Sequence, residues 1–377
     1  MVLAFMTLYC RHLGFTIAQG GWVVAIYGLG SVTGALIGGR LSDKFGFYFI
    51  QFLALFLGGL MFFILGVMET YSSICISAFT LAMVNESFRP ANATAIAHYS
   101  TPENRTQSFS LVRLAINIGF GIGIALGGLL ASIDYHLLFW VDGATNIFAA
   151  VTLVIILPRV SVAQQHTAPK ERKSISPTIS AYHDTVFLKF LFYQLLFAIC
   201  FFQLFTTIPL FFKVGLHLSE FSIGIVMAVN GLVIALFEMV LVFKLEGRKP
   251  YLLLISYGSL IMGLAFLFLN LTFMSGLLVA FTAMLTITVA EMLSMPFMNS
   301  YYINRSSNIT RGQYAGLYTV TWSTAQVIGS STGALFAGRF GFPVLWILIF
   351  VISVVAAAGF YVMQKKANLL TANRLLT

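Results

Sequence analysis

Gly39-Arg40-Leu41-Ser42-Asp43-Lys44-Phe45-Gly46 is a short charged stretch with a glycine at each end. On either side lie apolar runs long enough to cross a bilayer as helix, which takes about 20 residues. A charged turn wedged between two such runs is a tight reversal at a membrane surface. Its glycines permit the reversal and let the flanking helices approach closely. Asp43 is placed to accept hydrogen bonds from a helix N-terminus or an arginine.

The remainder of the chain agrees with lipid as its solvent. Its 377 residues are 59% hydrophobic and only 9% charged, with mean hydropathy +0.92. A soluble domain carries about 25% charge. The apolar runs are continuous, whereas a transmembrane barrel shows short alternating segments. The expected fold class is therefore all-α integral membrane, each span satisfying its own backbone. Spans are expected at 18–39, 47–68, 72–97, 108–131, 137–157, 187–212, 220–243, 250–270, 273–302, 313–337 and 343–364. Residues 1–10 are apolar but too short to span, and read as the outer end of a truncated first helix. They lack the charged start and cleavage site of a signal peptide. Eleven spans plus this stub imply twelve in all.

Net charge is +9, for which topology supplies a cause without nucleic acid. With the Asp43 turn inside, inner loops hold fifteen of the 21 Lys and Arg, outer loops three, and spans three. This bias sets orientation and places the C-terminus in the cytoplasm. Cys10, Cys75 and Cys200 show neither metal-ligand spacing nor a disulfide framework.

The polar stretch 158–186, with Pro158, Pro169, Pro177 and the run Lys170-Glu171-Arg172-Lys173, reads as a cytoplasmic linker between halves 1–157 and 187–377. The halves repeat. A shift of 206 residues aligns Pro90 with Pro296, Arg105 with Arg311, Gln107 with Gln313, Gly123 with Gly329, Gly127 with Gly333 and Trp140 with Trp346. Two parallel six-helix halves follow, related by an axis along the membrane normal.

The pattern Gly-x-Leu-x-Asp-Lys-x-Gly resembles the signature loop between helices two and three of the major facilitator superfamily of transporters. That resemblance implies the major facilitator fold and alternating access. It also implies a conformational latch at Gly39, Asp43, Lys44 and Gly46. The family's basic residue after the second glycine is absent, since Phe47 and Tyr48 stand there. Residues 244–249, Lys-Leu-Glu-Gly-Arg-Lys, occupy the matching place and keep only charge and one glycine. Gly119 to Gly128 resembles the antiporter signature Gly-x-x-x-Gly-Pro-x-x-Gly-Gly of the drug:proton branch, with Ile124 replacing the proline. Gly119, Gly123 and Gly127, and in the other half Gly329 and Gly333, form small-residue faces for close helix packing. The segments Glu291 to Pro296, Arg311 to Tyr314, and Arg89-Pro90 are similar to those of bacterial drug-efflux members.

Charges inside spans are functional candidates because burial there is costly. Glu86 and Arg89, three apart, share a helix face and are positioned to neutralise each other. Arg113 is a second charge-pair candidate. Glu291 aligns with Asn85 in the repeat and has no basic residue within four positions. An acid so placed is a natural proton carrier, so Glu291, and after it Glu86, are the proton-coupling candidates. Glu238, near the inner end of its span, is expected to pair with a loop cation. Phe202, Gln203 and Phe205 are candidates for an apolar cavity with one polar anchor.

No phosphate loop, metal cluster or nucleophile triad stands out, so no enzyme activity, cofactor or metal is expected. The expectation is a monomeric secondary transporter of the inner cell membrane, whose partners are a small-molecule substrate, protons and lipid. Proton-coupled efflux of amphipathic or drug-like molecules leads. The alternatives are a nutrient or metabolite importer of the same fold, and a non-transporting receptor or scaffold.

Overall fold

The computed structural model describes residues 2–160, 180–271 and 275–376; most of the 158–186 linker, with its Lys170–Lys173 run, lies outside them. Among the described residues the chain forms α-helices, one 3-10 turn and no strand. The first half holds α1 (Val2–His12), α2 (Ile17–Phe45), α3 (Phe47–Gly66), α4 (Tyr71–Glu86), α5 (Phe88–Tyr99), α6 (Arg105–Ile133) and α7 (His136–Ile156). The second holds α8 (Thr185–Phe202), α9 (Thr207–Val214), α10 (Glu220–Leu245), α11 (Tyr251–Phe268), α12 (Gly276–Arg305), α13 (Arg311–Phe340) and α14 (Phe342–Leu376).

Eight of the described helical segments are long and apolar enough to cross a membrane. The other three expected spans are helical as well. Those of α6 and α13 are diluted by glycine, serine and threonine. The 72–97 span is not one helix but two, α4 and α5, separated at Ser87. Proline explains the break: the Pro90 ring competes with the carbonyl four residues back, that of Glu86. Pro209 acts likewise in the 187–212 span, where a 3-10 turn at Gln203–Phe205 divides α8 from α9. Pro296, the repeat partner of Pro90, sits inside an unbroken α12.

Local signals set the helix ends. At the start of α2, Thr16 and Gln19 form a reciprocal capping box. Between α2 and α3, Gly46 adopts φ +89°, where a side chain would be strained.

The chain divides into two compact units. The first comprises Met1–Thr101, Ile116–Asp184 and Arg305–Ser323, the second Pro102–Ala115, Thr185–Asn304 and Thr324–Thr377. Each unit thus takes one segment from the other sequence half: the start of α13 joins the first, the start of α6 the second. One core cluster of the first unit packs Tyr9, Phe62, Leu65, Leu138 and Phe139. Another packs Phe47, Tyr48 and Ile50 against Ala91, Ala95 and Leu153. In the second unit the buried Trp346 ring meets Phe211, Phe266 and Phe342 at centroid distances of 5.4, 5.5 and 5.8 Å.

Candidate functional site

Within the first unit, the end of α2 meets the first turn of α13. The Asp43 carboxylate accepts from the backbone N–H of Gly312 at 2.6 Å and of Gln313 at 2.9 Å. Those N–H groups lack helical partners at an N-terminus, where the helix dipole also favours negative charge. Glycines make the approach possible. A Cβ on Gly39 would strike the carbonyl oxygen of Gly312, and one on Gly312 would lie 2.7 Å from Asp43 Oδ1. Gly39 and Asp43 are thus in the contact and Gly46 sets the turn. Lys44 is not: its side chain is exposed, with the ammonium 5.2 Å from the Phe45 ring centroid.

The second unit carries a twin of this arrangement. Glu246 Oε1 accepts from the N–H of Thr106 at 3.0 Å. Thr106 is the second residue of α6, and 206 residues later stands Gly312. Each carboxylate therefore caps the equivalent helix start in the opposite sequence half. Asp43 takes two N–H groups where Glu246 takes one. The matched arginines, Arg105 and Arg311, are both buried. Arg105 donates to the side-chain oxygen of Asn304. The residue equivalent to Asn304 is His98, which burial, and then the Arg311 charge, hold below the ordinary imidazole range.

Deeper in the second unit, Arg113 of α6 is shared by two carboxylates. One guanidinium nitrogen donates to Glu238 of α10 at 2.5 Å, the other to Glu291 of α12. Both acids are 2% exposed, so neither is relieved by solvent. Asn230 of α10 donates to Glu291 at 2.9 Å and to the Thr288 hydroxyl at 3.0 Å. Two ionised acids against one arginine leave an excess negative charge, and one proton would neutralise the group. This corrects one expectation. Glu238 pairs with a helix arginine, not a loop cation, because the start of α6 joins its unit. Glu291 has no basic neighbour in sequence yet has one in space.

Glu86 does not join this group. It bonds Arg89 at 2.9 Å in the first unit, with the Arg89 side chain 62% exposed, as i,i+3 spacing predicts. Gln203 is buried: its amide donates to the Gly329 carbonyl at 2.9 Å and its oxygen accepts from Thr207 at 2.8 Å. The bare glycine backbone offers that acceptor. Phe202 and Phe205 contact one another and Phe201, with Phe205 exposed. Gly329 and Gly333 are close-packed, since added Cβ atoms would meet Ile199, Gln203 and Thr207. Gly127 is buried and Gly123 half-buried, but a Cβ on Gly119 would meet nothing within 4 Å. Sequence reasoning missed Asn230 and Thr288, polar residues in apolar helices that single out the acid they face.

The Major Facilitator Superfamily model matches residues 1–330. "Multidrug resistance protein 2" of Bacillus subtilis (strain 168) is 25% identical over 341 residues, covering 89% of this chain and 84% of that protein. Quinolone resistance protein NorA of Staphylococcus aureus (strain MRSA252) is 27% identical over 157 residues, 42% of this chain and 40% of NorA. Among solved structures, the proton:xylose symporter XylE superposes with TM-score 0.70 at 16% identity, covering 96% of this chain and 90% of that one. The human organic anion transporter MFSD10 superposes with TM-score 0.69 at 13% identity, covering 95% and 89%. Those two likenesses concern fold alone. By its helices, its capped turn and this family match, the chain belongs to the Major Facilitator Superfamily and is a multi-pass membrane transporter.

Proposed function

We propose that the protein is a proton-coupled exporter of small amphipathic molecules, working by alternating access as a monomer. The reading places it in the inner cell membrane with the Asp43 turn and C-terminus in the cytoplasm, on the strength of the Lys and Arg bias. The observation that carries it is Arg113 shared between Glu238 and Glu291. A buried group with one acid in excess has a physical reason to take up one proton or one positive charge, and not both. Competition of that kind is what exchange requires. The similarity to efflux proteins such as Multidrug resistance protein 2 supports an outward substrate direction. Glu86 is the weaker coupling candidate because Arg89 already balances it.

The test is transport in reconstituted vesicles under an imposed pH gradient, with a fluorescent organic cation as probe. Gradient-driven movement against the proton flux is expected, and Glu291→Gln abolishes it while leaving downhill exchange. Full gradient-driven transport by Glu291→Gln overturns the coupling assignment. Movement with the proton flux points to the importer. No flux of any solute, together with tight binding of a protein partner, points to the scaffold.

A further inference from the structure

The latch has two sides, the end of α2 and the start of α13. Residues 180–184, which lead into α8, touch both. On the α2 side, the Arg40 guanidinium stands over the Tyr182 ring, 4.8 Å from its centroid. On the α13 side, the Ser180 hydroxyl donates to the Gln313 side-chain oxygen at 3.0 Å. Asp184 is the most heavily engaged of the five. It is 5% exposed and accepts from Arg305 Nε at 2.6 Å, from the terminal Arg305 nitrogen at 2.7 Å, and from the Tyr314 hydroxyl at 2.7 Å. Arg305 is the last residue of α12, and Tyr314 lies in the first turn of α13. Asp184 therefore grips both sides of the α12–α13 turn, next to the two N–H groups that Asp43 binds.

We propose that residues 180–184 are a strap that positions the latch, with Asp184 as its anchoring residue. The Asp43 carboxylate takes its hydrogen bonds from Gly312 and Gln313 and none from the strap. It acts by fixing where Gly312 and Gln313 present their N–H groups, and by holding Arg40 one helical turn before Asp43. A planar guanidinium gripped by two carboxylate oxygens has a defined orientation as well as an attraction, so this anchor transmits geometry. The inference rests on reading Asp43 as a latch, and its test separates the two.

The reporter is Ser42→Cys, a fully buried position beside Asp43, in a background without Cys10, Cys75 and Cys200. Its reaction rate with a water-soluble maleimide measures how often the latch opens. Asp184→Asn is expected to raise that rate roughly tenfold, as loss of a charge-assisted bond does. The exchange Asp184→Arg with Arg305→Asp restores it to within about twofold, which general loosening of the fold would not do. Asp184→Asn added to Asp43→Asn gives less than the product of the separate effects. Tyr182→Leu, which removes no buried charge, raises the rate roughly threefold and covers the case in which Asp184→Asn fails to fold. An unchanged rate in Tyr182→Leu and Asp184→Asn, with a raised rate in Asp43→Asn, overturns the strap and spares the latch. An unchanged rate in Asp43→Asn overturns both.

Discussion

Asp43→Asn should open the latch more than Glu246→Gln, and the structure sets the margin. Asp43 holds two backbone N–H groups, at 2.6 and 2.9 Å, at the start of α13. An asparagine keeps one carbonyl acceptor, so it loses one bond and the charge that the helix dipole favours. Bonds to charged groups contribute about 1.5–3 kcal/mol and a partly buried charge at a helix end up to about 2 kcal/mol, and the two overlap. A net loss of about 2 kcal/mol is a roughly thirtyfold shift in the closed-to-open ratio. Glu246 holds a single N–H at 3.0 Å, and glutamine keeps an acceptor for it. Only the charge is lost there, about 0.5–1 kcal/mol or roughly two- to fivefold. The assay is thiol modification of Ser42→Cys for the first variant. For the second it is modification of Ser300→Cys, whose hydroxyl lies 2.7 Å from that of Thr106. Equal rises in the two variants would refute the argument that bond number and charge set latch strength.

Three further outcomes follow from the geometry. Arg113→Ala strands two buried acids and should cost about 3–5 kcal/mol in thermal unfolding, while adding Glu238→Gln and Glu291→Gln recovers most of it; no recovery would mean that the arginine acts through packing. Gly333→Ala drives a Cβ into the Gln203 amide and should cost about 1–3 kcal/mol, whereas Gly119→Ala meets nothing and should be neutral or slightly stabilising in the same melt. Burial, and then the Arg311 charge, hold His98 below the ordinary imidazole range. The unfolded chain therefore binds more protons, so stability falls as pH drops through about 6.5 towards the lowered folded-state value. His98→Asn, the residue at the equivalent position 304, should flatten melting temperature between about pH 7.5 and 5.5; an unchanged slope would remove His98 from the pH response.

Much of this was legible in order along the chain. Runs of apolar residues marked the helices, and Asp43 between two glycines marked a cap awaiting a helix start. The 206-residue shift pointed to the twin region, although only the structure shows Glu246 on Thr106, the residue matched to Gly312. Breaks at Ser87 and Gln203–Phe205 precede Pro90 and Pro209, but Pro296 leaves α12 unbroken, so a proline alone did not mark them. The pairing of charges distant in sequence was not legible. Arg113 lies 125 residues from Glu238 and 178 from Glu291, and helical spacing says nothing about partners so far away. The partner of Gln203 was hidden for a related reason: its amide donates to a glycine carbonyl 126 residues away on another helix. Residues 180–184 carry little periodicity, so their role rests wholly on contacts.

The shared arginine also has an electrical consequence. With all three groups ionised, Arg113, Glu238 and Glu291 carry one net negative charge, and with one proton bound they carry none. On the exchange reading, membrane voltage acts on this group only while both the proton and a cationic substrate are absent. A full elementary charge crossing the field is worth about 2.3 kcal/mol per 100 mV. An inside-negative potential then draws the proton-free group towards the outer face, where protons are to be had. It leaves the protonated group indifferent, and equally the group that holds a cation, so exchange of one proton for one cation is driven by the pH gradient and not by voltage.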